Sequence, residues 1–313
     1  MPPSVFEDLA YREDAAGERT RVFLVAGGDD VANFAAEVLE QKRMWMRAGV
    51  GEDEIACYYA KPTKQAWGDD IDQYRALANA LRECHRAEPA RLRRDLLAAA
   101  QREPEWIYLY VTSHGLDSQA AGLPYARSRK LRALAQTLSD EERALLDAPA
   151  IGLEAGPGPG LGDVTRSIRA LRKGAHPGDV VLTPSTLADT LLAFPESTAK
   201  FIVLQACFSG GFIDHHVPSG TEADTGPGLK AVPNLVALTA SAAERPSFGC
   251  GSGSHRTYFG GAVNRAIARE LDDGERPPDL DWKAIHDKAA FAVEAMESVE
   301  AEPRSFPGFL DTR

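Results

Sequence analysis

The chain has 313 residues, 44% of them apolar, enough for one large domain or two ordinary ones with a sizeable core. Its formal net charge of −11 argues against a nucleic-acid partner or an anionic membrane surface, because proteins that bind these present a basic face to phosphates. Four cysteines (Cys57, Cys84, Cys207 and Cys250) show no CxxC spacing and are too sparse for a disulfide framework, so a reducing compartment fits best.

The opening Met-Pro-Pro-Ser-Val-Phe-Glu-Asp lacks the basic and apolar segments of a secretory leader, and no run of about 18 apolar residues occurs. The expectation is a cytoplasmic protein without a membrane partner, although removal of a leader would leave the same sequence.

Residues 21–26 form a short β-rich run closed by Gly27-Gly28-Asp29-Asp30, and residues 31–48 carry helix formers at helical spacing. A second strand is predicted at 54–59, then mostly helix over 71–100 with a break near Pro89. Strands at 106–111, 201–205 and 234–240 follow, with helices over 186–193, 258–271 and 282–299 and an irregular end after Pro303. This βαβ alternation implies an α/β fold, a three-layer α/β/α sandwich on a mostly parallel sheet of about six strands. The whole chain, 1–313, reads as one domain with a helical insertion at about 118–185 and a C-terminal helical extension at about 272–313. Within the insertion, helical pattern covers 128–147 and 163–173, and Gly156-Pro-Gly-Pro-Gly160 makes 152–162 a flexible-linker candidate. A second Gly/Pro-rich stretch, 217–232, follows the 201 strand.

Two strands end in chemistry. Phe-Ile-Val-Leu-Gln-Ala-Cys-Phe-Ser-Gly-Gly at 201–211 runs out at Cys207, and Trp-Ile-Tyr-Leu-Tyr-Val-Thr-Ser-His-Gly at 106–115 delivers His114 beside a glycine. In an open α/β sheet the functional crevice lies outside the carboxyl ends of the strands, so a thiol there meets a ligand. A cysteine attacks as thiolate, and His114 is a base that can generate one. Gly115 lets its N–H approach a developing oxyanion, with the Cys207 N–H as second donor. The structural alternative is a buried Cys207 and a satisfied strand-end histidine; the glycines beside two strand ends favour the pair.

Other chemistries find less support. No spacing among Cys207, Asp214, His215, His216 and Cys250 matches a zinc site. Gly27-Gly28-Asp29-Asp30 lacks both phosphate-binding glycine patterns, and no GxSxG elbow occurs, so no metal or organic cofactor is expected.

Gln205-Ala206-Cys207 and Ser113-His114-Gly115 resemble the nucleophile and histidine segments of the caspase-like cysteine peptidases, which include caspases, metacaspases and legumains. A caspase proper carries Arg, Gln or Gly after the cysteine and its histidine about 50 residues upstream. Here Phe208 follows, and His114 lies 93 residues back (207 − 114). The legumain-type branch is more similar. Residues 22–27 resemble its opening strand, Asn33-Phe34 the start of its first helix, and Arg47-Ala48-Gly49-Val50 with Glu54-Ile55 its turn into the second strand. Residues 239–250 and Thr257-Tyr258-Phe259-Gly260 resemble its specificity-pocket loop. The insertion and the C-terminal extension fall outside the resemblance.

The resemblance implies a cysteine endopeptidase acting on a protein or peptide substrate. Cys207 would be the nucleophile, His114 the general base and acid, and Asn33 the residue that orients the histidine or else a helix-start residue satisfying free N–H groups. Gly115 and Cys207 would form the oxyanion hole, and Gln205, Ser241 and Ser247 would line the substrate pocket. The three legumain pocket positions hold Ala35, Gln205 and Gly261, so preference for asparagine is not implied. Arg245 and Arg256 are candidate pocket cations, and Glu222, Asp224 and Glu244 candidate anions. Two rivals share these residues, a transamidase or peptide ligase and a non-catalytic regulatory module.

Overall fold

The computed structural model describes residues 11–61, 66, 71–118, 129–153, 161–214, 228–250, 256–271, 274–299 and 304–313. Its centre is a sheet of β1 (Val22–Ala26), β2 (Ile55–Tyr59), β3 (His85–Arg86), β4 (Trp106–Thr112), β7 (Ala199–Gln205), β8 (Leu235–Thr239) and β9 (Gly308–Asp311), in the order β3-β2-β1-β4-β7-β8-β9. All pairs are parallel except β8 with β9. A separate antiparallel pair joins β5 (Gly115–Leu116) to β6 (Ala150–Ile151).

The central strands are nearly continuous apolar runs because both faces are covered, as parallel sheets require. Alternate residues sort onto the two faces. Leu24, Tyr110 and Val203 pack with α1 (Ala32–Arg47), α9 (Tyr258–Glu270) and α10 (Trp282–Glu297). Val25, Leu109 and Ile202 pack with α3 (Pro89–Ala100) and α7 (Pro184–Leu192). The result is the expected three-layer α/β/α fold on a mostly parallel sheet.

About six strands are expected, five of them placed in the sequence; among the described residues the main sheet has seven. Both additions are edge strands: β3 has two residues, and β9 lies where an irregular tail is predicted after Pro303. Gly308–Asp311 is too short to show a period, and the segment is a strand because β8 offers it a ladder, with Thr239 opposite Gly308.

The cysteine reading also needs correction. Cys57 and Cys84 form a disulfide with Cα atoms 4.8 Å apart. The register explains it: Tyr58 pairs with His85, so the preceding residues lie directly across two parallel strands. Sequence spacing carries no trace of that pairing.

The insertion holds α4 (Arg129–Ala135), α5 (Asp140–Asp147) and α6 (Leu161–Leu171) around a small core of Ala135, Leu146, Val164 and Ile168. Most of the two linker candidates, 154–160 and 217–227, lies outside the described residues. The described ends of both are fixed: Leu153 is buried, and Leu229 and Val232 pack into the core. Among the described residues, no helix is long and apolar enough to cross a membrane.

One buried stripe on α1 is polar. Asn33, Glu37 and Gln41 recur at i, i+4 and i+8, and Glu37 and Gln41 bond to Tyr108, Tyr110 and Thr112, alternate residues of β4. Gln41 Nε2 donates to Asn264 at 2.7 Å, while Trp45 and Tyr108 donate to Gln41 Oε1 at 3.0 and 3.2 Å. Glu37 and Gln41 are tolerated because they bond across three elements.

Candidate active site

The sheet register builds the site. Ala26 of β1 pairs with Thr112 of β4, which pairs with Gln205 of β7. The ladder continues one residue further, with the Gly27 N–H on the Thr112 carbonyl at 2.9 Å and the Ser113 N–H on the Gln205 carbonyl at 3.0 Å. Gly28, His114 and Cys207 are therefore each two residues past one aligned row, side by side at the carboxyl edge of three adjacent strands. This is the crevice position for a ligand in an open parallel sheet.

Glycines set how closely these loops approach. A Cβ on Gly115 would overlap the Cys207 carbonyl oxygen and stand 2.8 Å from its carbon and 3.0 Å from its nitrogen. Gly28 turns the chain in the left-handed region, φ 75°, and a Cβ there would lie 3.1 Å from His114 Cδ2. The insertion also reaches the site, since the Ser113 hydroxyl donates to the Gly152 carbonyl.

Cys207 is partly exposed and free. The Ser247 amide donates to its Sγ at 3.3 Å, with the Ser247 carbonyl and Oγ at 3.6 and 3.8 Å. An N–H aimed at sulfur is the contact a thiolate accepts. Immediately beyond, Phe208 adopts φ 59°, a left-handed conformation that costs a non-glycine residue about 1–2 kcal/mol. The turn is held by the Phe208 N–H on the Arg245 carbonyl at 2.8 Å and the Gly211 N–H on the Phe208 carbonyl at 3.0 Å.

The loop after β8 wraps this thiol. The Ser241 hydroxyl donates to the Ala206 carbonyl at 3.3 Å, Ser247 meets the sulfur, and Asn33 Nδ2 donates to the Gly249 carbonyl at 2.7 Å. Burial, then the neighbouring Cys207, raises the Cys250 thiol far above the ordinary thiol range, so it stays protonated and inert. Gln205 is fully buried, and both its amide atoms lack a hydrogen-bond partner among the described residues.

Glu37 underpins the loop. Its fully buried carboxylate accepts from Thr112 Oγ1 at 2.7 Å, Tyr110 OH at 3.0 Å, and the Thr257 amide and hydroxyl at 2.6 and 2.7 Å. Burial still pushes its pKa up to about 7, against the pull of Thr112, Thr257 and Tyr110. One side chain thus ties the strand that delivers His114 to the helix that ends the pocket loop.

The structure brings Cys207, His114, Gly115 and Ser247 together. The partner of His114 is one the sequence reading missed: Nε2 lies 2.8 Å from Asp30 Oδ1, while Asn33 donates through Nδ2 to Gly249 and its buried Oδ1 has no partner among the described residues. The available signal was that Gly28 lies at the same offset beyond β1 as His114 beyond β4, with Asp30 two residues further on. Of the candidate pocket charges, Arg256 pairs with Glu40 at 2.7 Å, Arg245 sits over the Phe306 ring at 5.8 Å, and Glu244 lies 4.0 Å from Arg245. Glu222, Asp224, His215 and His216 lie outside the described residues.

No protein-family model matches the chain, and no curated protein matches it. Among solved structures it is similar to a structural-genomics target from Geobacter sulfurreducens, with 10% identity and a TM-score of 0.48 over 93% of this chain and 92% of that one. It is also similar to caspase-1 from Spodoptera frugiperda, with 9% identity and a TM-score of 0.40 over 95% and 88%. For pro-Sf-caspase-1 the values are 11% and 0.41, over 97% and 90%.

Proposed function

We propose that this chain is a cysteine endopeptidase of the caspase-like kind, closest to the legumain type. The observation that carries the reading is the aligned row of strand ends that sets His114 and Cys207 side by side, with Gly115 seated on the Cys207 peptide. The ordered segments that resemble legumain-type peptidases support it from the sequence side.

In this reading the Cys207 thiol gives its proton to His114, and the thiolate attacks the carbonyl carbon of a peptide bond. The oxyanion that forms would be met by the Gly115 and Cys207 amides. His114 returns the proton to the leaving amine, and the acyl-enzyme keeps the carbonyl half of the substrate. Water, losing a proton to His114, then releases the acid. Ser247, which meets the sulfur, and Gln205, fully buried with both amide atoms unmet among the described residues, are the pocket residues of this reading.

A positional-scanning peptide library with mass analysis of the products tests this. Cleavage at defined bonds supports it, and a dominant preference at one position gives the specificity. A library left intact, with Cys207 shown to be reduced, would count against it. If an added amine appears in the products in place of water, the enzyme is a transamidase on the same dyad.

A further inference from the structure

The loop Gly27-Gly28-Asp29-Asp30 has no place in the dyad chemistry, yet it ends against the histidine. We propose that Asp30 is the positioning residue of His114, making the site a Cys207–His114–Asp30 array. The proposal rests on reading Cys207 as the nucleophile.

The first argument is the tautomer. His114 Nε2 and Asp30 Oδ1 are 2.8 Å apart, and an ionised carboxylate can only accept a hydrogen bond. The proton between them therefore sits on Nε2, which leaves the lone pair of a neutral ring on Nδ1. That nitrogen is the one free to take the Cys207 proton.

The second argument is orientation. The ring meets Phe34 in an edge-on contact with centroids 5.2 Å apart at 83°, and Gly28 leaves it room, since a Cβ there would lie 3.1 Å from Cδ2. Asp30 supplies the contact that fixes rotation about the remaining axis. It can do so because Gly28 turns the chain back at φ 75°. Asn33, the alternative partner, donates to the Gly249 carbonyl, and the hydrogen bond that His114 Nε2 makes is to Asp30.

The third argument is charge. When Cys207 S–H transfers its proton to Nδ1, a thiolate and an imidazolium form, and the Asp30 carboxylate lies opposite the new positive charge. The hydrogen-bonded carboxylate acts on the imidazolium at contact range, whereas its repulsion of the thiolate acts from farther away. Among the described residues, Cys250 couples to Cys207, Glu37 and Asp30, and Asp29 acts on Tyr11. The buried aspartate of a serine-protease triad is worth about 10⁴ in kcat; Asp30, with a side chain 38% exposed, is expected to be worth about 10 to 100.

The test compares wild type, Asp30→Asn and Asp30→Glu for two readouts. One is the rate of Cys207 alkylation by iodoacetamide against pH, followed by peptide-resolved mass spectrometry; the other is kcat and KM on a cleaved peptide. Thermal melts check that all three proteins are folded. In Asp30→Asn the alkylation midpoint is expected to move to higher pH, and kcat to fall about 10- to 100-fold with KM within about twofold. Asp30→Glu is expected to restore part of both.

Coincident alkylation curves for wild type and Asp30→Asn, with unchanged kcat, would overturn the assignment. An Asp30-dependent alkylation curve on a protein that cleaves no peptide would uphold it and count against the peptidase reading instead.

Discussion

The Cα of Gly115 rests on the peptide of Cys207, so close that a methyl group at 115 would overlap the carbonyl oxygen of 207. This single contact joins the histidine loop to the nucleophile turn. Gly115→Ala is therefore expected to force the two loops apart. Because the colliding atoms are backbone, relief requires moving Cys207 itself, at a cost of about 1–3 kcal/mol. The expected outcome is a melting temperature lower by several degrees and a kcat at least about 100-fold down, because misplacing a reacting group by an ångström costs roughly that much. Steady-state kinetics with a thermal melt check it. An active, stable Gly115→Ala protein would mean that the loops do not meet as described.

Glu37 makes stability depend on pH with a definite sign. Burial lifts its carboxyl from 4.5 to about 7 in the folded protein. Below about pH 4.5 the group is neutral in both states and has no effect. Between there and pH 7 the unfolded chain releases the proton first, so stability falls as pH rises, by about 3 kcal/mol in all. Glu37→Gln, which stays neutral, removes that slope and adds only a constant offset from its altered hydrogen bonds. Denaturant unfolding of both proteins between pH 4.5 and 7.5 measures it. The variant is expected to gain about 3 kcal/mol relative to wild type across that window; parallel curves would show that Glu37 does not titrate there.

Cys57 and Cys84 close a loop with a sequence separation of 27, for which chain entropy predicts about 3.5 kcal/mol of stabilisation. Reductant is expected to lower the melting temperature of wild type and to leave a Cys57→Ser/Cys84→Ser double variant unmoved. A wild-type melt indifferent to reductant would show that the bond does not form or does not stabilise.

Phe208 holds its left-handed conformation at a cost that depends on side-chain shape. A glycine there is expected to keep stability within about 1 kcal/mol and to preserve turnover. A valine, whose branched Cβ suits φ 59° worse than phenylalanine, is expected to lose about 1 kcal/mol more and to lower kcat by displacing Cys207. Equal behaviour of the two variants would remove the turn from the account.

Much of this was legible in the chain. Continuous apolar runs at β1, β4, β7 and β8 announce a parallel sheet covered on both faces, and the placing of Cys207 and His114 just past two such runs announces the crevice. What stayed hidden depends on register. The strands β3 and β9 are too short or too irregular to show a period and exist because a neighbour offers a ladder. The disulfide, the Asp30–His114 pair and the Gly152 carbonyl on Ser113 all join segments that meet only once the strands are aligned. The helical spacing of Asn33, Glu37 and Gln41 was visible, but a polar stripe at that spacing reads as a solvated face until its partners on β4 are known.

The central claim is that Cys207 performs the chemistry, and its most direct measurement is turnover of the same peptide library by wild type and Cys207→Ala at matched folding. The thiol is half-accessible and makes its contacts with Ser247, so its loss is expected to leave the fold intact. The account predicts cleavage by wild type and none by the variant. Unchanged turnover in Cys207→Ala would contradict it.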